Sequence, residues 1–157
     1  MPGAYRNAVL MIGALTIFQG ARAIAQMQRV ASQAVPPHQV FGELRQAVPP
    51  SARVLGAATY WLAFVDHEYR AFFLPFLLSD PERHENPIPF ATAMKLNAPD
   101  VVLLDWTTMQ HLVDPSSPKM SAHYDEFWAY MRAHKARLIR EIREDGGLPL
   151  QVYQLER

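Results

Sequence analysis

The stretch Asp100-Val-Val-Leu-Leu-Asp105 sets the fold class of this chain. Its apolar residues run without a polar interruption, so a strand built from them turns neither face to water. Such a strand sits in the middle of a sheet, with helices above and below. Asn97-Ala-Pro99 just before it is a stop signal, and Pro89 to Leu96 ahead of that stop predicts a short helix. Further upstream, Ser79 to Pro89 carries several charges and repeated prolines and predicts an exposed loop. Tyr69 to Leu78 is apolar but broken at Pro75, which predicts a strand beside a bend. Thr59 to Val65 is rich in aromatics and fits strand or helix, while Arg53-Val-Leu-Gly-Ala57 reads as a short strand closing on glycine. His38 to Ala47 has apolar residues at helical spacing (Val40, Phe41, Leu44, then Val48) between Pro36-Pro37 and Pro49-Pro50.

Downstream of Asp105, Pro115 to Pro118 predicts a loop, and Ser121 opens what the spacing predicts to be one long helix. Tyr124, Phe127, Met131, Leu138 and Ile142 form its apolar stripe, and Gly146-Gly147 ends it. Leu150-Gln-Val-Tyr-Gln-Leu155 alternates and predicts a last, half-exposed strand. Strands separated by helical stretches give the expected fold: a small three-layer α/β domain over residues 36–157, with a mostly parallel sheet.

Residues 1–35 are of a different kind. Asn7 to Ala21 holds no charge, between Arg6 and Arg22, and Ala8 to Phe18 is almost purely apolar. Fifteen helical residues reach roughly 22 Å, short of the ~30 Å hydrocarbon core, so a span must extend to Ala25 with Arg22 snorkelling to the headgroups. The same residues fit a signal peptide, with small-x-small patterns at Ala21-Arg-Ala23 and Ala23-Ile-Ala25. A buried or amphipathic core helix is the third reading. Membrane association through residues 8–25 is the expectation adopted, with the domain on the extracytoplasmic side or, after cleavage near Ala25, secreted or periplasmic. Gln26 to Ser32 reads as the helix's polar continuation.

Composition narrows the function classes. The chain has 157 residues, 50% hydrophobic and 19% charged, too apolar for a disordered protein. Fifteen basic and fifteen acidic residues cancel, which removes the field that would draw the chain to nucleic acid. Without cysteine there is no disulfide framework, thiolate nucleophile or Cys-ligated zinc.

Ligands of open parallel sheets sit outside the carboxyl ends of the strands. Two such ends are Gly56-Ala-Ala-Thr-Tyr-Trp61 and Asp105-Trp-Thr-Thr108, each with a ring beside hydroxyls, the second with a carboxylate. Tyr60, Trp61, Asp105 and Trp106 are therefore the candidate ligand-binding residues, for a sugar or another flat amphipathic molecule. The competing reading has both tryptophans in the core and Asp105 capping the next helix. Asp66-His-Glu-Tyr69 is the densest polar cluster, yet His67 and Glu68 are neighbours and share no face. A hydrolase built on Asp66 and His67 is the weakest alternative. No metal spacing, Gly-rich phosphate loop or paired catalytic carboxylates are evident, and no cofactor is implied. His134, on the stripe with Met131 and Leu138, reads as a hydrogen-bonded, partly buried histidine.

"FGELRQAVPPSARVLGAATYWLAF", "DHEYRAF" and "LNAPDVVLLD", between Phe41 and Asp105, follow a hydrophobic segment. Together they resemble the C-terminal extracytoplasmic tail of polytopic membrane glycosyltransferases of the protein O-mannosyltransferase-like superfamily. Residues 8–25 would then match the last transmembrane helix. Members of that superfamily use a polyprenyl-phosphate sugar donor and carry their catalytic acids in an early extracytoplasmic loop that has no counterpart here. The resemblance thus implies no catalytic residue on this chain. It implies a non-catalytic part of a sugar-transfer system, whose partners are a polytopic transferase or a glycan. The alternative is a secreted small-ligand or carbohydrate-binding domain.

Overall fold

β3, Val101–Leu104, is buried along its whole length at the centre of a five-stranded sheet. The computed structural model describes residues 35–114, 116, 118–143 and 149–156, together with Gln19 and Arg22, both helical and exposed. The remainder of the 8–25 stretch, and Gly146-Gly147, lie outside the described residues. Among those described, no helix is long and apolar enough to cross a membrane. The chain falls into two compact units, Met1–Ala34 and Val35–Arg157, and the second holds the sheet.

The other strands are β1 (Val54–Gly56), β2 (Tyr69–Ala71), β4 (Arg137–Ile142) and β5 (Leu150–Gln154), in the sheet order β2-β1-β3-β5-β4. β1 pairs in parallel with β2 and with β3, while β5 runs antiparallel to both β3 and β4. The sheet is therefore parallel on one side of β3 and antiparallel on the other, in place of the mostly parallel sheet expected.

Alternation along the strands sorts the core into two faces. Val54, Val101, Leu103 and Val152 point to one, with Val40 and Leu44 of helix α1 (Pro37–Ala47) and with Tyr60 and Phe64. Leu55, Val102 and Leu104 point to the other. They meet α2 (Leu74–Ser79), α3 (Phe90–Asn97), α4 (Trp106–Val113) and α6 (Tyr124–Ala133), the short α5 (Pro118–Ser121) lying between the last two. The ambiguous stretch before β2 is a 3₁₀ helix, Ala58–Phe64. The break at Pro75 proves to be a helix start, since α2 holds proline in its first turn, where no amide hydrogen is needed.

The expected long helix from Ser121 to Gly146 is corrected. α6 starts at Tyr124 and stops at Ala133 in a Schellman arrangement: the Ala136 amide donates to the Met131 carbonyl and the Lys135 amide to that of Arg132. Lys135 takes the left-handed position, at φ 46°, that glycine usually fills. A lysine there gives no stop signal in the sequence. Leu138 and Ile142, four apart, mimic a helical stripe but belong to β4. A register shift between Leu138 and Arg140 leaves Leu138 42% exposed while Ile139 and Ile142 face the core. Arg137, Arg140 and Glu141 then line an exposed edge strand with charge.

Candidate functional site

β1 and β3 are parallel neighbours, yet the chain leaves them toward opposite faces. From β1 it enters the 3₁₀ helix on the α1 side, and from β3 it enters α4 on the other. Divergence at adjacent carboxyl ends is where the crevice of such sheets, the usual ligand position, would lie, between the two connections. Gly56, at the end of β1, keeps it tight. A Cβ there would lie 2.6 Å from the Tyr69 hydroxyl and 3.0 Å from the Leu103 Cβ, so any larger residue collides.

Asp105 closes the end of β3 as the N-cap of α4. Its Oδ1 accepts from the Thr108 amide at 2.7 Å and its Oδ2 from the Tyr60 hydroxyl at 3.2 Å. Both Asp105 and Tyr60 are buried, so this pair ties the two connections together beneath the surface. Tyr69, the first residue of β2, joins them by donating its hydroxyl to the Ala57 carbonyl at 2.5 Å. Burial, aided by the nearby Asp105 carboxylate, pushes the Tyr69 phenol well above its ordinary range and keeps it a neutral donor.

The structure thus brings Tyr60 and Asp105 into direct contact and leaves Trp61 and Trp106 outside, 54% and 43% exposed. Asp105 is the helix cap of the competing reading, whereas neither tryptophan is a core residue. Two members of the region are hidden from a reading of the sequence. Tyr69 stands in line with Asp66, His67 and Glu68, although its ring stacks on Phe64 and its hydroxyl reaches the crevice. Phe73, 46% exposed just beyond β2, supplies a third aromatic at a third strand exit; its place in the apolar run Phe72-Phe-Leu74 after β2 is the available signal.

The Asp66–Glu68 turn lies at the opposite end of the sheet, before β2 begins. His67 Nε2 faces the Pro49 carbonyl at 3.1 Å, its Nδ1 is buried without a partner, and its ring meets the edge of Phe64. Asp66 is exposed, and Glu68 pairs with Arg70 at 2.7 Å. Among the described residues, no group of three or more His, Cys, Asp or Glu side chains gathers where a metal ion would be held. His134 is half-buried against the Tyr130 ring, with Nδ1 3.3 Å from the Glu156 carbonyl.

A cleft of about 300 Å³ lies elsewhere, between the end of α2 and the turn into α6, with Phe76, Asp80 and His123 in its wall. Its polar groups are engaged: Asp80 Oδ1 accepts from the Glu82 amide, and His123 stacks on Phe90 with Nδ1 3.1 Å from Glu126. Comparison with protein-family models, curated proteins and solved structures finds no match for this chain.

Proposed function

We propose that residues 36–157 form a non-catalytic α/β domain of a membrane-associated sugar-transfer system, on the extracytoplasmic side, related to the tail of polytopic glycosyltransferases. In this reading the domain binds or docks and leaves the chemistry to another part of the system. The observation that carries it is the commitment of Asp105. A general acid or base needs a carboxyl oxygen turned toward the substrate. The carboxylate at the crevice commits one oxygen to a helix amide and the other to a buried phenol. The segments that carry the resemblance also support it, because they form consecutive, packed parts of one half of the sheet. "ARVLG" supplies β1, the aromatic run supplies the 3₁₀ helix, and "PDVVLLD" supplies β3 with its cap.

The purified chain, mixed with a polyprenyl-phosphate sugar and an acceptor peptide or lipid, is expected to transfer and hydrolyse nothing. Turnover by the chain alone overturns the reading.

Carbohydrate or small-ligand binding is a second reading, favoured by two exposed indole rings on neighbouring exits with Tyr60 and Asp105 behind them. Titration with monosaccharides and glycans then changes tryptophan emission, and Trp106→Ala abolishes the change. An identical response in that variant counts against the site.

A further inference from the structure

The three parallel strands empty at their carboxyl ends into residues 57–65, 72–79 and 106–110, segments without a single charged residue. Each holds a large ring out to water: Trp61, Phe73 and Trp106. One exposed aromatic is ordinary on a protein surface. One on each of three neighbouring exits makes an apolar surface that calls for a partner. Asp105, at the same edge, is buried beneath Tyr60 and contributes no exposed charge.

The start of the domain lies toward this edge as well. α1 passes to β1 through residues 48–53, so it runs against the strand direction. Arg45, near its end, reaches the carbonyls of Ala63 and Leu62 late in the 3₁₀ helix, and Pro49 meets His67 beyond it. Val35, ahead of the first turn of α1, therefore sits toward the end of β1. In the sequence, the apolar stretch closes at Ala25, and residues 26–34 separate it from Val35.

We propose that the edge bearing Trp61, Phe73 and Trp106 rests in the headgroup region of a lipid bilayer. The proposal rests on the reading of residues 8–25 as membrane-associated and adds which side of the domain meets the lipid. Aromatic rings concentrate at that depth, where one part of the ring is dry and another wet. The absence of charge from the three exits sets the lipid chemistry: contact with a zwitterionic surface, with no requirement for anionic lipid and little response to salt.

The test uses the full chain in phosphatidylcholine vesicles whose acyl chains carry bromine close to the headgroups. The chain has three tryptophans, and Trp128, packed against Phe127 and Tyr153, serves as the internal reference. Bromolipid is expected to quench the native chain at least roughly twofold more than the Trp61→Phe/Trp106→Phe variant, in which Trp128 alone reports. Near-ultraviolet circular dichroism verifies that the variant is folded. Equal quenching in the two, with the chain bound to vesicles, overturns the proposal and leaves the membrane reading standing. Failure of the chain to float with vesicles removes both. Emission at Trp61 and Trp106 that responds to soluble glycans and not to bromolipid assigns the edge to carbohydrate and also overturns the proposal.

Discussion

The parallel strands begin among charges and end among aromatics. At their starting edge stand Arg53, Glu68 and Asp100, with Lys135 and Glu156 brought alongside by the antiparallel half of the sheet. These groups pair with one another: Asp100 accepts from the Arg53 amide at 2.8 Å, and Lys135 meets Glu156 at 2.8 Å. At the finishing edge the polar groups that matter are buried, and the exposed surface is Trp61, Phe73 and Trp106. One edge is solvated, and its charged groups pair at the surface. The other hides its hydrogen bonds and shows rings. The difference teaches that burial of a polar network, more than its presence, separates a surface that water covers from one that a partner covers.

Asp105→Ala strikes the finishing edge hardest. It removes the α4 cap and strands the buried Tyr60 hydroxyl, an expected loss of about 2–4 kcal/mol in a denaturant melt. Asp105→Asn, which retains a capping oxygen, is expected to recover most of it. Gly56→Ala comes next, at about 1–3 kcal/mol, because the added Cβ collides with Leu103 and with a Tyr69 hydroxyl already bound to Ala57. A loss below the error of the melt would mean that β1 and β3 can part without cost.

Asp100→Ala is the counterpart at the solvated edge. It frees the Arg53 amide where water can partly replace the lost acceptor, so about 1 kcal/mol is expected. A larger loss than that of Asp105→Ala would invert the comparison.

Alkaline pH tests the phenols of the two clusters. Tyr69, Tyr130 and Tyr153 are all raised above the ordinary 10.0, chiefly by burial. The unfolded chain releases these protons first, so the linked stability is intact below pH 10 and is lost as pH rises beyond it. In a variant whose other three tyrosines are phenylalanine, absorbance of tyrosinate should therefore appear in step with loss of tertiary circular dichroism, and ionisation of these three well before unfolding would contradict it. The smallest effect belongs to Trp106→Ala, expected within about 0.5 kcal/mol of the parent because the residue is exposed and outside the core. A loss as great as that of Asp105→Ala would make Trp106 a core residue after all.

Much of the parallel half is legible in residue order. The unbroken apolar run of β3 can be satisfied only at the centre of a sheet, and Gly56 and Asp105 mark the two strand ends where the crevice opens. The contact of Tyr60 with Asp105 is half legible: both residues stand out at strand exits, but their bond bridges 45 positions and their burial depends on how the 3₁₀ helix packs. Tyr69 is misleading in the sequence because its neighbours there are charged while its side chain lies along the opposite direction, on Phe64.

By itself, the sequence determined the existence and order of the buried strands, the helix stops at proline, and the aromatic character of the strand exits. Those follow from local constraints: apolar runs demand burial, and proline denies an amide hydrogen. Tertiary structure alone decided that the helix after Tyr124 ends at Ala133 and returns as β4. Spacing by four suits a helix face and a strand face alike, and the left-handed turn at Lys135 is made where β4 can pair with β5. It also decided that Asp105 turns inward while Trp106 turns outward. Adjacent residues at a cap diverge, and which of them meets water is set by Tyr60, brought from a distant part of the chain to take the carboxylate.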